Sequence, residues 1–204
     1  MTDIPRFWDK IAPKYALRPV GDMASYEHKL TRTQAHMRPD MDVLEFACGT
    51  GTTALHHAPH VASYRAVDIS PEMIRIAKAK ESADQVGFEV ADFDRMEIAP
   101  ESLDMIQAHS ILHLLPDPPA TIAKVHGALR PGGLFISSTT CLGKAWWLKP
   151  IAAVGKALGK MPALSWFNED DLRAMLTSQG FEIIEDWQPE GSMKAVFLVG
   201  RKPE

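Results

Sequence analysis

The sequence predicts an α/β fold of the doubly wound kind, with helices on both faces of one mostly parallel, seven-stranded sheet. An apolar run, Val43-Leu44-Glu45-Phe46, leads directly into the glycine-rich turn Ala47-Cys48-Gly49-Thr50-Gly51. A second apolar run ends at Asp68, about 20 residues further on, where nucleotide-binding α/β folds place a carboxylate on ribose hydroxyls. Apolar segments of strand and helix type then alternate. We therefore predict an adenosine-bearing cofactor.

The order of the elements follows from apolar patterning, proline and glycine. N-terminal helices are expected between about residues 7 and 37, broken at Pro13 and Pro19, because proline disrupts helix interiors. Ser70 and Pro71 suit the N-cap and first position of a helix. Strands are predicted at 42–47, 63–68, 86–91, 103–108 and from 134, with helices at 51–58, 71–81 and 117–129.

The C-terminal part departs from this alternation. Asn168 or Glu169 is expected to begin a helix that Gly180 closes at the C′ position. Strands at 181–187 and 194–201 should pair antiparallel, because the loop Pro189-Glu190-Gly191-Ser192 is too short for a helical crossover. We expect one domain: a helical lid (1–40), a cofactor-binding core (41–140), a substrate-cap insertion (141–167), and a C-terminal helix and hairpin (168–204).

Composition excludes several classes of function. A length of 204 residues suits one domain, and the net charge of −4 gives no electrostatic reason to expect nucleic-acid binding. No apolar run reaches the ~18 residues of a membrane span, and the N-terminus lacks a signal-peptide pattern. Cys48 and Cys141 form neither a disulfide framework nor a zinc spacing. A cytoplasmic protein is expected.

Two cofactor patterns overlap in the glycine-rich turn. The string from Gly49 to Ala54 fits G-x-G-x-x-G/A, the dinucleotide pattern. The string Glu45-x-Ala47-x-Gly49-x-Gly51 resembles the E/D-x-G-x-G-x-G turn of class I S-adenosylmethionine-dependent methyltransferases, with Ala47 in place of the first glycine. Glu45 favours the second pattern, because a buried acid needs a partner. An ammonium-bearing ligand supplies one, whereas a pyrophosphate would be repelled.

Further segments resemble the small-molecule branch of this family. They are Phe7-Trp8-Asp9-Lys10-Ile11-Ala12-x-x-Tyr15, Ala91-Asp92-Phe93-Asp94, Ser102-Leu103-Asp104-Met105-Ile106 followed by His109-Ser110-Ile111-Leu112-His113, and Leu129-Arg130-Pro131-Gly132-Gly133. The resemblance implies a Rossmann-like sheet, a helical lid at the N-terminus, S-adenosyl-L-methionine as cofactor and S-adenosyl-L-homocysteine as product.

The resemblance also implies a set of cofactor-binding residues. Small residues in the turn would let the main chain approach the methionine part, and Asp68 would accept hydrogen bonds from the ribose hydroxyls. Tyr15 would close over the cofactor, and His109 would lie near the sulfonium. The implied set is Tyr15, Glu45, Ala47, Cys48, Gly49, Gly51, Asp68, Ile69 and Met73 beside the adenine, Asp92 and Phe93 completing its pocket, Ala108 and His109.

Candidate catalytic residues are His109 and His113, which border the expected reaction site. Histidine titrates near neutral pH and can remove a proton from the acceptor, although either ring could instead shape the pocket. A thiolate or amine acceptor would need no base, because alignment of the reactants supplies much of the acceleration. The tract His56-His57-x-x-His60 is interpreted as a solvated helix end, because adjacent side chains point to different helix faces. No metal is predicted.

The insertion at 142–166 is apolar and dotted with lysines. Its apolar part includes Trp146 and Trp147, and its lysines are Lys144, Lys149, Lys156 and Lys160. Such a segment can pack on the sheet, cap an apolar acceptor or make transient contact with anionic lipid. The sequence leaves these three alternatives open.

The predicted function is methyl transfer from S-adenosylmethionine to a small, apolar acceptor: a quinol or phenol, a lipid head group or a thiol. One alternative is a non-catalytic S-adenosylmethionine-binding regulatory protein, since fold does not fix function. The other is an NAD(P)-dependent reductase. It is disfavoured because no Tyr-x-x-x-Lys pair exists: Pro19, Leu30 and Asp68 follow the three tyrosines at that spacing. The sequence gives no oligomeric state.

Overall fold

The computed structural model describes residues 4–159, 161–190 and 195–204, apart from the side chain of Trp146. Within these residues the strands are β1 (Asp42–Phe46), β2 (Ser63–Asp68), β3 (Gly87–Val90), β4 (Leu103–His109), β5 (Leu129–Thr140), β6 (Glu182–Trp187) and β7 (Ala195–Arg201). The α-helices are α1 (Ile4–Ala16), α2 (Met23–Ala35), α3 (Thr52–His57), α4 (Pro71–Lys78), α5 (Pro118–Ala128), α6 (Lys149–Ala157) and α7 (Glu169–Ser178).

The strands form one seven-stranded sheet in the order β3-β2-β1-β4-β5-β7-β6. Strands β1 to β5 run parallel, and β7 pairs antiparallel with both β5 and β6. The predicted fold class, a doubly wound mostly parallel sheet with an antiparallel C-terminal hairpin, is therefore confirmed. The carboxyl ends of β1, β4 and β5 lie side by side, so the loops that follow them share one edge of the sheet.

The core lies on both faces of the sheet, because successive side chains of a strand point to opposite faces. Leu44 of β1 packs in the cluster that contains Ile122 of α5 and Leu172 of α7. Its neighbour Val43 packs in the other cluster, with Ile74 of α4. Strands buried on both faces read as continuous apolar runs, which is why β1 was recognisable in the sequence.

Helix termini follow the predicted chemistry. The Ser70 hydroxyl accepts a hydrogen bond from the Met73 N–H at 3.1 Å, and Pro71 occupies the first turn of α4. Asn168 and Asp171 form a reciprocal capping box at the start of α7. Gly180 follows the C-cap of α7 with a φ of 91°, in the left-handed region that glycine tolerates.

Two local predictions were wrong. Pro13 lies inside α1 rather than breaking it, three residues before the helix ends at Ala16. At that position its missing N–H removes one hydrogen bond from the last turns, and the packing of α1 keeps the remaining turns helical. Pro19 does lie between α1 and α2. Strand β5 begins at Leu129 rather than near 134, because Leu129 already pairs with Leu103 before an irregularity in the ladder.

The structure also bears on α6, the helix of the insertion. The alternative in which this helix packs on the sheet is not observed, because α6 has no buried residue. Its apolar side chains Ile151, Val154 and Leu158, with Trp147 before them, are 57–63% exposed. Lys160, the Trp146 side chain and the loop residues 191–194 lie outside the described part. Within that part, no helix is both long and apolar enough to cross a membrane.

Candidate functional site

A cavity of about 550 Å³ opens over the carboxyl ends of β1, β4 and β5. The glycine-rich turn forms one wall, α2 and the α1–α2 connection form the cover, and the ends of β4 and β5 form the far side. Helix α1 is held in place by Asp9, whose carboxylate accepts hydrogen bonds from the Ser70 hydroxyl at 2.6 Å and the Glu72 N–H at 3.0 Å. The N-terminal helices thus cover the sheet edge where β-strand loops converge.

The glycine-rich turn is built from left-handed residues. Ala47, Gly49 and Gly51 have φ values of 54°, 55° and 73°. Among the described residues, a Cβ added at Gly49 would have only the Tyr15 ring within 4 Å, at 3.8 Å. The main chain at Gly49 therefore faces the cavity. Ala47 adopts the same conformation at the cost of its Cβ, roughly 1–2 kcal/mol.

Gly51 has a packing role that the sequence did not predict. A Cβ on this residue would lie 2.5 Å from Cζ of Phe88 in β3 and 3.0 Å from Cβ of Ala77 in α4. Gly51 is therefore small so that the turn can pack on β3 and α4, and it does not line the cavity. The sequence pattern identified the glycine but assigned its missing side chain to ligand approach.

Glu45 is buried at the tip of β1 and already has a protein partner. The Tyr64 hydroxyl donates a hydrogen bond to its Oε2 at 2.7 Å. Burial is the main cause that raises the pKa of Glu45 to about 8, so its carboxyl is largely protonated at pH 7. Tyr64 was missed in the sequence. The signal was the parallel pairing of β1 with β2, which brings Tyr64 beside Val43, two residues from Glu45.

Asp68 ends β2 and faces the glycine-rich turn. Its Oδ2 accepts a hydrogen bond from the Gly49 N–H and its Oδ1 from the Ser70 N–H, both at 2.9 Å. Burial raises the pKa of Asp68, and these two hydrogen bonds act in the opposite direction. The carboxylate is fixed beside the turn, and each oxygen retains a lone pair. Ile69, half-buried, and Met73, buried, follow it at the start of α4.

Asp92 and Phe93 do not share one environment. Asp92 is 45% exposed and its carboxylate contacts Arg95 at 3.4 Å. The Phe93 ring is buried and stacks on Phe46 with ring centres 4.1 Å apart. The Phe93 ring therefore belongs to the core. Of these two side chains, only that of Asp92 is accessible to a ligand.

The far side of the cavity contains two neutral histidines joined by one amide. The Gln107 side-chain oxygen accepts hydrogen bonds from His57 Nδ1 at 3.0 Å and from His109 Nε2 at 3.1 Å. Burial lowers the pKa of His57 to about 4 and that of His109 to about 3. This tautomer leaves Nδ1 of His109 with a free lone pair. His57 was misassigned to a solvated helix end; it is fully buried and lines the cavity.

His113 and Ala108 lie away from the cavity. Ala108 is fully buried in the core. His113 lies in the turn after β4, and its main-chain carbonyl accepts a hydrogen bond from the Ser165 N–H at 2.8 Å. Its Nδ1 is buried and has no partner among the described residues. Of the two candidate catalytic histidines, only His109 lines the cavity.

Helix α2 contributes a row of polar side chains that the sequence reasoning missed. Tyr26, Lys29 and Thr33 lie three and four residues apart and therefore share one face, which lines the cavity. Tyr26 and Thr53 place their hydroxyls 3.4 Å apart. The Lys29 amine donates a hydrogen bond to the Ser138 hydroxyl of β5 at 3.2 Å.

The structure thus brings together part of the predicted set. Lining the cavity are Tyr15, Glu45, Ala47, Cys48, Gly49 and His109. Outside its lining are Gly51, Asp68, Ile69, Met73, Asp92, Phe93, Ala108 and His113. The described residues contain no group of three metal-binding side chains.

An adenosyl ligand fits this arrangement. The open main chain at Gly49 allows close approach, and the fixed Asp68 carboxylate is the acceptor that ribose hydroxyls require. The cavity continues past the turn toward β4 and β5, which leaves room for a second molecule.

Comparison with known sequences also indicates a methyltransferase. A family described as a methyltransferase domain matches residues 43–133, from β1 into β5. The ubiquinone biosynthesis O-methyltransferase of Xanthomonas euvesicatoria is 30% identical over 155 residues, 72% of this chain and 62% of that protein. The arsenite methyltransferase of Halobacterium salinarum is 29% identical over 161 residues, 74% of this chain and 40% of that protein. The chain therefore spans about 40 to 62% of these relatives.

Among solved structures, the N-methyltransferase NodS of Bradyrhizobium japonicum, in complex with S-adenosylhomocysteine, has a TM-score of 0.74 to this chain. The alignment covers 98% of both chains at 17% identity, which is a likeness of fold.

Proposed function

We propose that the chain is a class I S-adenosylmethionine-dependent methyltransferase that transfers the methyl group of this cofactor to a small acceptor bound over the ends of β4 and β5. The observation that carries the proposal is the link between Asp68 and Gly49 beside a cavity that continues to β5. In this proposal the Asp68 carboxylate binds the ribose, and the part of the cavity over β4 and β5 holds the acceptor. The reductase alternative is disfavoured, because the matched family model and the named relatives are methyltransferases.

Each residue of the site has a defined part in this proposal. The bound cofactor supplies an electrophilic methyl carbon on a sulfonium. Asp68 orients the ribose, the glycine-rich turn accommodates the methionine part, and Glu45 lies near its ammonium. Tyr15 covers Gly49 and limits access of water. Because the reaction is an in-line displacement, the main task of these residues is to align the two reactants.

The acceptor we propose is a phenol or quinol. The ubiquinone biosynthesis O-methyltransferases among the relatives support an oxygen acceptor, while the arsenite methyltransferase shows that this sequence group is diverse. A thiol and a lipid head group are the other candidates. The described residues of the 141–167 insertion do not line the cavity, so a capping role for the insertion would need another arrangement of that segment.

The test is calorimetric titration of the purified protein with S-adenosylmethionine, S-adenosylhomocysteine and NADH, followed by an acceptor panel with methyl-labelled cofactor. We expect micromolar binding of the first two ligands and labelled product with at least one phenol. Asp68→Ala should weaken cofactor binding by roughly 1.5–3 kcal/mol, the scale of lost charge-assisted hydrogen bonds. Asp94→Ala, at another loop carboxylate, is the matched control.

The outcomes separate the candidates. Binding of S-adenosylhomocysteine without turnover on phenols, thiols and lipid head groups would favour the non-catalytic regulatory alternative. Cofactor affinity that is unchanged in Asp68→Ala would contradict the ribose assignment.

A further inference from the structure

Lys29 places a positive charge inside the cavity, where the charge of Asp22, another lining residue, only partly offsets the effect of burial. Its amine crosses from α2 to β5, where it donates to the Ser138 hydroxyl at 3.2 Å, and it makes no ion pair within the described residues. Burial lowers the pKa of Lys29, and the charge of Asp22 at the start of α2 acts in the opposite direction. A partly buried ammonium with a single neutral partner is costly, so an anionic ligand would be favoured here.

A second polar group beside Lys29 is also unsatisfied. Thr33 lies one helical turn further along α2 and lines the same cavity. Its Oγ1 is fully buried and has no hydrogen-bond partner among the described residues. Buried hydroxyls are nearly always paired, so an unpaired one in a cavity wall points to a polar ligand. Lys29, Thr33 and Ser138 therefore form one polar end of the cavity, with His109 next to them.

The sheet order places this polar end beyond the cofactor. Asp68 ends β2, Glu45 lies on β1, His109 on β4 and Ser138 on β5, and these strands are adjacent in that order. Phe46 pairs with Val67 and Ala108, and Ala108 pairs with Ser137, so these residues lie level across the four strands. Neighbouring strands are about 4.8 Å apart, which puts β5 roughly 10 Å from β1.

This distance argues against the cofactor's own carboxylate as the partner of Lys29. The ammonium and carboxylate of the methionine part are attached to one carbon. A methionine part held at β1 by the glycine-rich turn therefore cannot easily extend its carboxylate two strands further. The acceptor, which must lie beyond the methyl group, can occupy the space at β4 and β5.

We propose that Lys29, Ser138 and Thr33 form an oxyanion subsite for the acceptor, and that the acceptor is an acidic hydroxyl compound of the phenol class bound as its anion. The inference rests on the proposed methyltransferase function and deepens it. The phenol loses its proton to solvent on binding. The phenolate oxygen then supplies the electron pair of the new O–C bond, while the pair of the broken C–S bond stays on sulfur. A strongly basic side chain is not required, which agrees with the neutral His109.

The experiment measures binding of a phenolate without turnover. The protein is saturated with S-adenosylhomocysteine and titrated with 4-nitrophenol, whose anion is followed by its visible absorbance, and with 4-nitroanisole, the neutral methyl ether. Variants are Lys29→Met, which keeps the aliphatic stem, and Lys29→Arg, which keeps the charge. Lys156→Met, at an exposed lysine of α6, is the matched control. S-adenosylhomocysteine affinity is measured for each protein by calorimetry.

We expect wild-type protein to bind 4-nitrophenolate in preference to 4-nitroanisole and to lower the apparent pKa of the bound phenol. Lys29→Met should weaken phenolate binding by roughly tenfold or more, the scale of a charged hydrogen bond, with S-adenosylhomocysteine affinity within about twofold of wild type. Lys29→Arg should restore most of the binding, and Lys156→Met should match wild type.

Equal binding of the phenol and its ether, or phenolate binding that persists in Lys29→Met, would overturn the subsite. Loss of S-adenosylhomocysteine affinity in Lys29→Met with phenolate binding intact would assign Lys29 to the cofactor carboxylate instead. These failures leave cofactor binding by wild-type protein in place and so differ from failure of the proposed function, in which wild-type protein binds no S-adenosylhomocysteine.

Discussion

The Tyr64 hydroxyl donates a hydrogen bond to the carboxyl group of Glu45 inside the sheet, at 2.7 Å. Both groups are buried, and Glu45 belongs to the turn motif that the family resemblance connects with the cofactor's ammonium. The hydrogen bond from Tyr64 therefore stabilises a buried acid at the proposed cofactor site. A cation that binds nearby would favour the ionised form and lower the pKa from its value of about 8.

This pair predicts that the contribution of Glu45 to the stability of ligand-free protein falls as pH rises from 6.5 to 8. In that range folded Glu45, with a pKa of about 8, still holds a proton that unfolded Glu45, at 4.5, has lost. His57 and His109, whose folded pKa values are lowered by burial, act in the opposite direction up to about one pH unit above the unfolded value of 6.5. Glu45 alone should contribute a fall of up to about 2 kcal/mol in the free energy of unfolding over this window, measured as the difference between wild type and Glu45→Gln.

Urea denaturation at a series of pH values measures this change. Glu45→Gln is the matched control, since it keeps an oxygen for Tyr64 and removes the titration. The slope of the free energy of unfolding between pH 6.5 and 8 should be more positive in this variant than in wild type. Parallel curves for the variant and wild type would show that another group causes the dependence.

The glycine-rich turn predicts opposite effects on stability for two substitutions, glycine to alanine at position 51 and alanine to glycine at position 47. Gly51→Ala should destabilise the protein by about 2–4 kcal/mol, because φ is 73° and the added Cβ would lie 2.5 Å from Phe88. Ala47→Gly should stabilise it by up to about 1 kcal/mol, because it relieves a φ of 54°. Urea denaturation of both variants, with wild type alongside, measures the difference. A Gly51→Ala variant as stable as wild type would contradict the described packing of the turn.

The two candidate histidines should differ in a kinetic test. His109→Ala is expected to lower kcat/KM for the acceptor by about tenfold, because His109 lines the cavity, and to leave cofactor affinity unchanged. The loss should stay below the 10²–10⁴-fold of a true general base, since a pKa of about 3 makes this imidazole a weak base. His113→Ala, outside the cavity lining, should retain wild-type kcat/KM.

Steady-state kinetics with the phenol acceptor, together with calorimetry for the cofactor, decide this prediction. A loss of a thousandfold or more in His109→Ala would assign His109 to proton removal. Equal losses in both variants would indicate a structural role for this loop rather than a role at the acceptor.

The sequence predicted those parts of the site whose signal is local. The turn after β1 and Asp68 at the end of β2 are defined by glycine spacing and apolar runs, so both were placed correctly along the chain. Lys29 meets Ser138 across 109 residues, and His57 meets Gln107 across 50, so no local pattern connects them. Gly51 shows a further limit: its position was predictable, but whether a ligand or Phe88 fills the space depends on the packed fold.

The exposed stripe of α6 leads to the last prediction, contact with an anionic lipid surface. Ile151 and Val154 lie three residues apart on one side of α6, Trp147 precedes the helix, Leu158 follows it, and all four side chains are exposed. Lys144, Lys149 and Lys156 lie in the same segment, and no acidic residue occurs between 143 and 159. An apolar face with basic flanks is typical of helices that rest in a lipid interface, and such contact would suit an apolar quinol as acceptor.

Sedimentation with vesicles of phosphatidylglycerol and phosphatidylcholine, compared with phosphatidylcholine alone, tests this contact. Wild-type protein should bind the anionic vesicles, and the double variant Ile151→Asp/Val154→Asp should lose binding. Both residues are about 60% exposed, so the free energy of unfolding should change by no more than about 0.5 kcal/mol. Ala153→Asp, an exposed position outside the stripe, should reduce binding only slightly, through its charge. Equal loss in the control, or no binding by wild type, would rule out a lipid-facing role for the stripe, because only insertion of its apolar side chains distinguishes these positions.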